Sequence, residues 1–302
     1  MKVYKDKIEN EAIKPITPKC FHGAWYHKVF SSKDKWLGIE GTIVLPTVNL
    51  TRIDENNRYL ETSSIYMGGQ AKYESDVGLA YMNAQISNDG EISTLNTCFR
   101  PFWRYITDSK ENDAGGYNYE TGRNYSSTNL TPNATTSNCY AMYSPKFSEY
   151  YYLPGDKIKI IITYPKKDYM QLKIEVLEVS NDINSINLRK KYNWKDPQNF
   201  KSPLFSSPES DDSIKEFKRV NAIDQRHNEG LPAINTKSSV ENAKWESVYL
   251  YREIKGQVYK VPLNNLRSAT MNCPDLEAFE YSEIANNTGG STINIYPHKS
   301  AK

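Results

Sequence analysis

The chain has 302 residues, of which 38% are hydrophobic and 25% charged, and its formal net charge is +2. This balance excludes an intrinsically disordered chain, which combines low hydrophobicity with high net charge. It also argues against a nucleic-acid binder, because no run of Lys and Arg exceeds three residues. No segment approaches the length of roughly 18 apolar residues that a membrane span requires, so no membrane span is predicted.

Residues 1–37 are predicted to form an N-terminal arm. The arm begins MKVYKDKIENEAIKPITPK, in which no apolar stretch follows the lysines, so the pattern of a signal peptide is missing. An intracellular or inclusion location is therefore favoured over secretion followed by removal of a leader.

Residues 38–263 are predicted to form a β-sandwich domain, because short β-rich segments alternate there with polar turns. Strands are predicted at 38–50, 58–69, 76–85, 97–107, 157–179, 217–225, 244–254 and 257–263. The hairpin at 157–179 carries the clearest alternation, which predicts inward positions for Ile158, Ile160, Ile162, Met170, Leu172 and Ile174. The fold class predicted is all-β, a two-sheet antiparallel β-sandwich or jelly roll with long loops and one or two short helices.

Two long polar segments, 108–140 and 181–213, are predicted to be loops of the sandwich domain. Loops of this length usually cover a functional site or link domains. We expect contacts with the body of the sandwich or with neighbouring copies to order them. Residues 264–302 are predicted to form a C-terminal segment with a last strand at 291–297. A short helix is expected there over 274–286, since Pro and acidic residues stand at its start.

The segment SIYMGGQAKYESDVGLAYMNAQ, residues 64–85, predicts a glycine-rich hairpin with a loop at 71–75. Glu74 and Asp76 would lie on one side of the second strand, about 7 Å apart. Paired carboxylates at such a separation suit glycoside hydrolysis, so both are weak catalytic candidates. Because the end of a hairpin is usually open to water, we expect both to be solvated and their amide variants to be nearly neutral.

A second candidate site combines aromatic and arginine side chains on predicted neighbouring strands. It consists of Tyr66, Tyr81, Arg100, Trp103 and Arg104. Such a sheet face could stack a sugar or bind an acidic partner. The alternative is an ordinary edge of the core, where arginine stems cover aromatic rings.

The cysteines and histidines do not predict a metal site. Cys20, Cys98, Cys139 and Cys273 include no C-x-x-C pair, so they allow two disulfides in three possible pairings or buried free thiols. None of the histidines has the spacing that would place two metal ligands on one face of a helix. The phosphate-binding, dinucleotide-binding and serine-elbow motifs are also absent from the sequence. No metal and no cofactor are therefore expected.

The motifs GIEGTIVLPTV, IYMGGQAKYESDVGLAY, CFRPFWR, LPGDKIKIIITYP, FKRVNAIDQ and ENAKWESVYL follow one another over residues 38–254. In this order they resemble the YrpD-like bacterial β-sandwich proteins, which implies a concanavalin-like jelly roll and no established activity. Members usually carry a secretion leader, which this sequence lacks. The order is also distantly similar to glutamic peptidases. Their catalytic Gln and Glu would fall near 77–79 and 223–225, where neither required residue stands, although Asp224 and Gln225 are close in type.

These patterns together predict a non-enzymatic, tyrosine-rich β-sandwich with a binding or self-assembling structural role, as in an intracellular crystal, coat or inclusion. Its expected partners are further copies of itself, in a homo-oligomer or lattice, or a carbohydrate bound through the aromatic sheet face. The alternative is a polysaccharide-acting enzyme, either a glycoside hydrolase or a lyase on a concanavalin-like fold.

Overall fold

The structure, a computed structural model, describes residues 1–300 with gaps at 10, 12–14, 16, 57, 71–73, 86–91, 107–114, 119–122, 127–138, 142–144, 203 and 208–213. The backbone alone is described at 70, 84–85, 92–96, 104–106, 115–118, 123–126, 139–141, 145 and 206. The elements are β1 Ala24–Ser31, β2 Gly38–Val44, β3 Thr47–Asn49, β4 Glu61–Gln70, β5 Glu74–Gln85, β6 Ile92–Ile106, β7 Gly115–Asn118, β8 Arg123–Ser126, β9 Cys139–Ala141, β10 Lys157–Lys166, β11 Tyr169–Glu178, α1 Ile183–Tyr192, β12 Phe200–Lys201, β13 Phe205–Ser206, β14 Glu216–Gln225, β15 Ser239–Ile254, β16 Gln257–Pro262, β17 Ser268–Cys273, β18 Phe279–Tyr281 and β19 Ser291–Ile295.

The strands of the described residues form two sheets. The front sheet has the order β17-β1-β14-β4-β5-β6-β9-β7-β8, and its ladders are antiparallel except between β7 and β9. The back sheet runs β12-β11-β10-β2-β15-β19-β18, with β13 beside β11 and with β3 and β16 beside β15. Large apolar side chains from both sheets form one central core. The predicted two-sheet antiparallel sandwich is confirmed.

The hairpin of β10 and β11 has the predicted inward alternation. Ile160 lies opposite Ile174, and Ile162 opposite Leu172. The predicted inward residues are all buried, namely Ile158, Ile160, Ile162, Met170, Leu172 and Ile174. Lys159 lies on the other face and pairs with Glu175 at 2.8 Å. A shift of one residue would exchange lysines for isoleucines in the core, which is why the pattern sets the register.

The α-helix lies within the segment predicted as the loop 181–213. Asp182 caps its first turn by accepting from two backbone N–H groups, and Asn193 ends it in the left-handed conformation. Its sequence, INSINLRKKY, has no apolar face that would have predicted it. Just beyond the helix, Phe200 is buried in the central core, and Trp194 is buried in a separate cluster with Cys98, Tyr151 and Leu153. Residues 203 and 208–213 of the segment lie outside the described residues.

The helix predicted over 274–286 is wrong. Residues Leu276–Ala278 make one 3₁₀ turn, and the next three residues form β18, which pairs with β19. Phe279 is buried in the central core. Pairing and burial with the rest of the sheet therefore outweigh the local helix signal.

Both ends of the chain contribute strands to the sandwich. β1, which falls within the expected arm, pairs with β14 on one side and β17 on the other. β17, β18 and β19, which fall within the expected C-terminal segment, are members of the two sheets. Of the predicted loop 108–140, the structure describes only β7, β8 and the start of β9, and the rest lies outside the described residues.

A disulfide joins Cys20 to Cys273, at the edge of the front sheet. Cys98 is a free, buried thiol, and burial raises its pKa to about 12. A thiol in that state behaves as a small apolar core residue and is not a nucleophile.

Candidate functional site

Charged side chains cluster on the outer face of the front sheet, at the end of the hairpin of β4 and β5. Lys218 on β14 lies opposite Gly68 on β4. Asp76 precedes Val77, which pairs with Met67, so Asp76 lies beside Gly68 on the neighbouring strand. A Cβ atom at Gly68 would stand 1.7 Å from the carbonyl oxygen of Ser75. The missing side chain therefore lets the strands approach and lets Lys218 reach across β4.

Lys218 joins two carboxylates across that glycine. Its Nζ lies 2.5 Å from Asp76 Oδ1 and also contacts Glu74 Oε1. Lys28, on the next strand of the sheet, lies 3.7 Å from the same oxygen of Glu74. The side chains of Lys218 and Asp76 are 7% and 10% exposed, whereas that of Glu74 is 33% exposed. The cluster, which we call the Lys218 cluster, thus has a buried base and an open rim formed by Glu74 and Lys28.

Burial and charge act in opposite directions on the two lysines. Burial lowers the pKa of Lys218, but the attraction of Asp76 and Glu74 outweighs it and raises the pKa above its ordinary value. Burial also lowers the pKa of Lys28, and there the ammonium of Lys218 adds to the decrease, so the net shift is downward. Lys218 is therefore a permanently charged anchor at neutral pH.

Aromatic rings surround the Lys218 cluster. The ring centroid of Tyr66 lies 5.3 Å from Lys218 Nζ, and Tyr66 meets Phe102 edge to face at 6.0 Å. On β1, Tyr26 stacks on Phe21 at 4.0 Å, and Lys28 lies over Phe30 at 5.6 Å. Four of these rings belong to a second apolar cluster on the outer face, namely Tyr26, Phe30, Tyr66 and Phe102. The ammonium groups of both lysines therefore lie beside packed aromatic rings.

The structure divides the predicted aromatic site between the two faces of the front sheet. Tyr66 and Arg100 lie on the outer face, where Arg100 is opposite Ala80. Tyr81 and Trp103 lie in the central core between the sheets, and Trp103 contacts Phe200 and Phe205 there. The backbone of Arg104 lies opposite Asp76, but its side chain lies outside what the structure describes. Successive side chains alternate across a sheet, so no single face holds all five.

The expectation that both hairpin carboxylates are solvated is wrong for Asp76, which is 7% exposed and paired with Lys218. Glu74 is only partly open. The sequence interpretation missed Lys28 and Lys218, which complete the site. A signal was present in FKRVNAIDQ, where Lys218 stands within a strand of buried residues, because a lysine in such a strand needs a partner.

A smaller polar pair lies on the same outer face, away from the Lys218 cluster. Ser64 Oγ donates to Asp224 Oδ2 at 2.5 Å. Gln225 points the other way, and its Nε2 donates to the carbonyl of Ile234 at 2.7 Å and to Glu61 at 3.1 Å. In the stretches 77–79 and 223–225, where the similarity to glutamic peptidases implied the catalytic Gln and Glu, Gly78 lies opposite Tyr66 and Asp224 opposite Thr62.

Comparisons with known proteins identify solved structures that are similar to this chain. No protein-family model matches the chain, and no curated protein matches it in sequence, so the resemblance to YrpD-like proteins is not confirmed. Among solved structures, the chain is similar to scytalido-glutamic peptidase with a transition-state analog inhibitor, at a TM-score of 0.47 and 10% identity, covering 92% of this chain and 100% of that one. It is also similar to SCP-B, a member of the eqolisin family of peptidases in complex with the tripeptide Ala-Ile-His. That TM-score is 0.43 at 10% identity, covering 90% and 98% of the two chains.

Within the described residues, no three His, Cys, Asp or Glu side chains are grouped so that they could hold a metal ion. No helix found there is both long and apolar enough to cross a membrane.

Proposed function

We propose that the protein is a non-enzymatic binding protein and that it holds a carbohydrate at the rim of the Lys218 cluster. The observation that carries this proposal is the placement of Glu74 and Lys28, which are partly open to solvent above a buried pair. Their side chains are 33% and 14% exposed, so a ligand can reach both.

The charges of the cluster favour a neutral ligand with many hydroxyl groups. Two carboxylates and two ammonium groups sum to zero, so the four groups together do not select a strongly charged molecule. A carboxylate accepts from a hydroxyl group and an ammonium donates to one, and a sugar hydroxyl can do both. The ion pairs below the rim hold Glu74 in place before a ligand arrives, which lowers the entropy cost of binding.

The arrangement of the carboxylates supports binding rather than glycoside hydrolysis. Glu74 and Asp76 lie on one strand and contact the same Lys218 ammonium. A hydrolytic pair flanks the scissile bond from two sides, and one member must be a protonated acid. Two neighbours that share an ammonium are not placed for that division of roles.

The Glu74→Gln variant is expected to weaken binding to a glycan about tenfold or more, because a hydrogen bond to a charged group contributes about 1.5–3 kcal/mol. Binding would be measured first on a glycan array and then by titration calorimetry with the best ligand. Glu178→Gln is the matched control, since Glu178 pairs with Lys157 on the back sheet. Failure of the parent protein to bind any glycan, or equal affinity of the two variants, would refute the proposal.

Self-assembly is a second candidate, favoured by exposed apolar side chains that follow one another closely in the chain where β11 ends and α1 begins. Leu177, Val179 and Ile183 are 43%, 47% and 62% exposed. Three such residues close together in the chain are typical of a contact surface.

If copies associate through this patch, the double variant Leu177→Lys and Ile183→Lys should be monomeric where the parent is not. Light scattering over a range of protein concentrations would measure this. Leu266→Lys is the control, because Leu266 is 78% exposed and distant in sequence from the patch. A parent that is monomeric at every concentration would rule the assembly out.

A further inference from the structure

A buried arginine lies between the two sheets, and no described residue supplies its counter-ion. Arg219, on the inner face of β14, is 0% exposed. Its Nη2 donates to Ser291 Oγ at 2.5 Å, while Nε and Nη1 find no hydrogen-bond partner among the residues that the structure describes. No carboxylate of the described residues lies within 4.0 Å of its guanidinium nitrogens. The ring of Trp245 lies 5.7 Å from the guanidinium carbon. This ring and Ser291 are thus the contacts of the charged group from the back sheet.

An unused amide donor lies two residues away on the same face. Trp245 Nε1 donates to Asn221 Oδ1 at 2.8 Å. An indole nitrogen can only donate, so this bond determines the orientation of the amide. Asn221 Nδ2 is therefore a donor, and no described group accepts from it. Arg219 and Asn221 thus both lie beside Trp245, two positions apart on the inner face of β14.

His27 completes the surroundings but does not supply a negative charge. It lies opposite Asn221 across the ladder of β1 and β14, and its Nδ1 lies 2.6 Å from Asn272 Oδ1. In a neutral imidazole that donates from Nδ1, Nε2 is an acceptor. We therefore do not count His27 among the donors. Among the described residues, the side chains around the Arg219 guanidinium are consequently neutral.

From these contacts we infer that a small monovalent anion, of the halide class, is bound between the sheets by Arg219 and Asn221. An unpaired buried charge is strongly destabilising, and a guanidinium cannot avoid the cost by losing its proton at neutral pH. A water molecule could accept from two of the three donors Nε, Nη1 and Nδ2, but it would leave the charge uncompensated. A halide accepts from donors in any direction and also neutralises the guanidinium. Because Arg219 is fully buried between two packed sheets, a small ion suits the site better than a large oxyanion.

The test compares unfolding of the protein in sodium chloride, sodium bromide and sodium gluconate at matched ionic strength and neutral pH. At a halide concentration about 100 times its dissociation constant, the unfolding equilibrium constant should fall by about 100-fold relative to gluconate. Crystals grown in bromide should show an anomalous peak within hydrogen-bonding distance of the Arg219 guanidinium.

Arg219→Met should abolish the halide dependence. Arg189→Met is the matched control and should retain it, because Arg189 is also buried but pairs with Asp156 at 2.6 Å. If Arg219→Met does not fold, the parent protein still decides the question. Equal unfolding in chloride and gluconate, or a bromide map with no anomalous peak at Arg219, would overturn the inference. A halide response that persists in folded Arg219→Met would do so as well.

Discussion

Replacing Lys218 with methionine is expected to lower the free energy of unfolding by about 3–5 kcal/mol, the cost of removing one partner from a buried ion pair. Asp76 would remain buried without the ammonium that lies 2.5 Å from it. Glu74 would lose the same contact, although it keeps Lys28 at 3.7 Å. Urea-induced unfolding followed by tryptophan fluorescence would measure the difference.

A second substitution separates the cost of losing the ion pair from the cost of losing the packing of the Lys218 stem. Lys218→Met with Asp76→Leu should be more stable than Lys218→Met alone, because the second change removes the carboxylate left behind. Lys195→Met is the control, since Lys195 pairs with Glu149 at 2.9 Å and is 59% exposed. The free energy of unfolding of that control should fall by less than about 1 kcal/mol. If Lys218→Met lowers the free energy of unfolding as little as the control does, water reaches the Lys218 cluster and solvates the remaining carboxylates.

The second large effect is a loss of stability in acid caused by His27. Burial, followed by the nearby Arg219 charge, lowers the pKa of His27 from 6.5 to about 3. Below pH 6.5 the unfolded chain takes up a proton at this imidazole, whereas the folded chain does not do so until about pH 3. The stability associated with neutral His27 is therefore complete above pH 6.5 and is lost as the pH falls, by roughly 1.4 kcal/mol per pH unit.

The surroundings of His27 offer no carboxylate that would oppose this effect within the described residues. The groups near it are Asn272, Asn221, Arg219 and the ring of Tyr281. Unfolding of the parent and of His27→Gln would be compared from pH 7 to pH 4. Glutamine can still donate to Asn272 but does not titrate, so the stability difference should shift steadily in favour of the variant as the pH falls. A difference that stays constant over this range would contradict the prediction.

Trp103 was predicted to belong to a binding surface, but the fold makes it a residue of the core. In CFRPFWRYIT, an aromatic ring between arginines suggested a sugar-stacking surface. Trp103 is 0% exposed and packs against Phe200 and Phe205. Its substitution would thus affect the core, and a loss of binding in such a variant would follow from unfolding. Arg100 and Tyr66 remain on the outer face. Arg100 is an odd number of positions from Trp103 on β6, so its side chain points to the other side of the sheet.

The sequence by itself determined the fold class and the inward face of the β10–β11 hairpin, because alternation with period two can be read within a single strand. It could also indicate the hairpin that carries Glu74 and Asp76. Only the tertiary structure decided what those carboxylates contact. Lys218 lies 142 positions from Asp76 in the chain and meets it because β4 places a glycine between their strands. Likewise, Arg219 and Asn221 contact Trp245 because the two sheets pack face to face. Contacts of this kind depend on the order and register of strands that are distant in sequence, and no local pattern encodes that order.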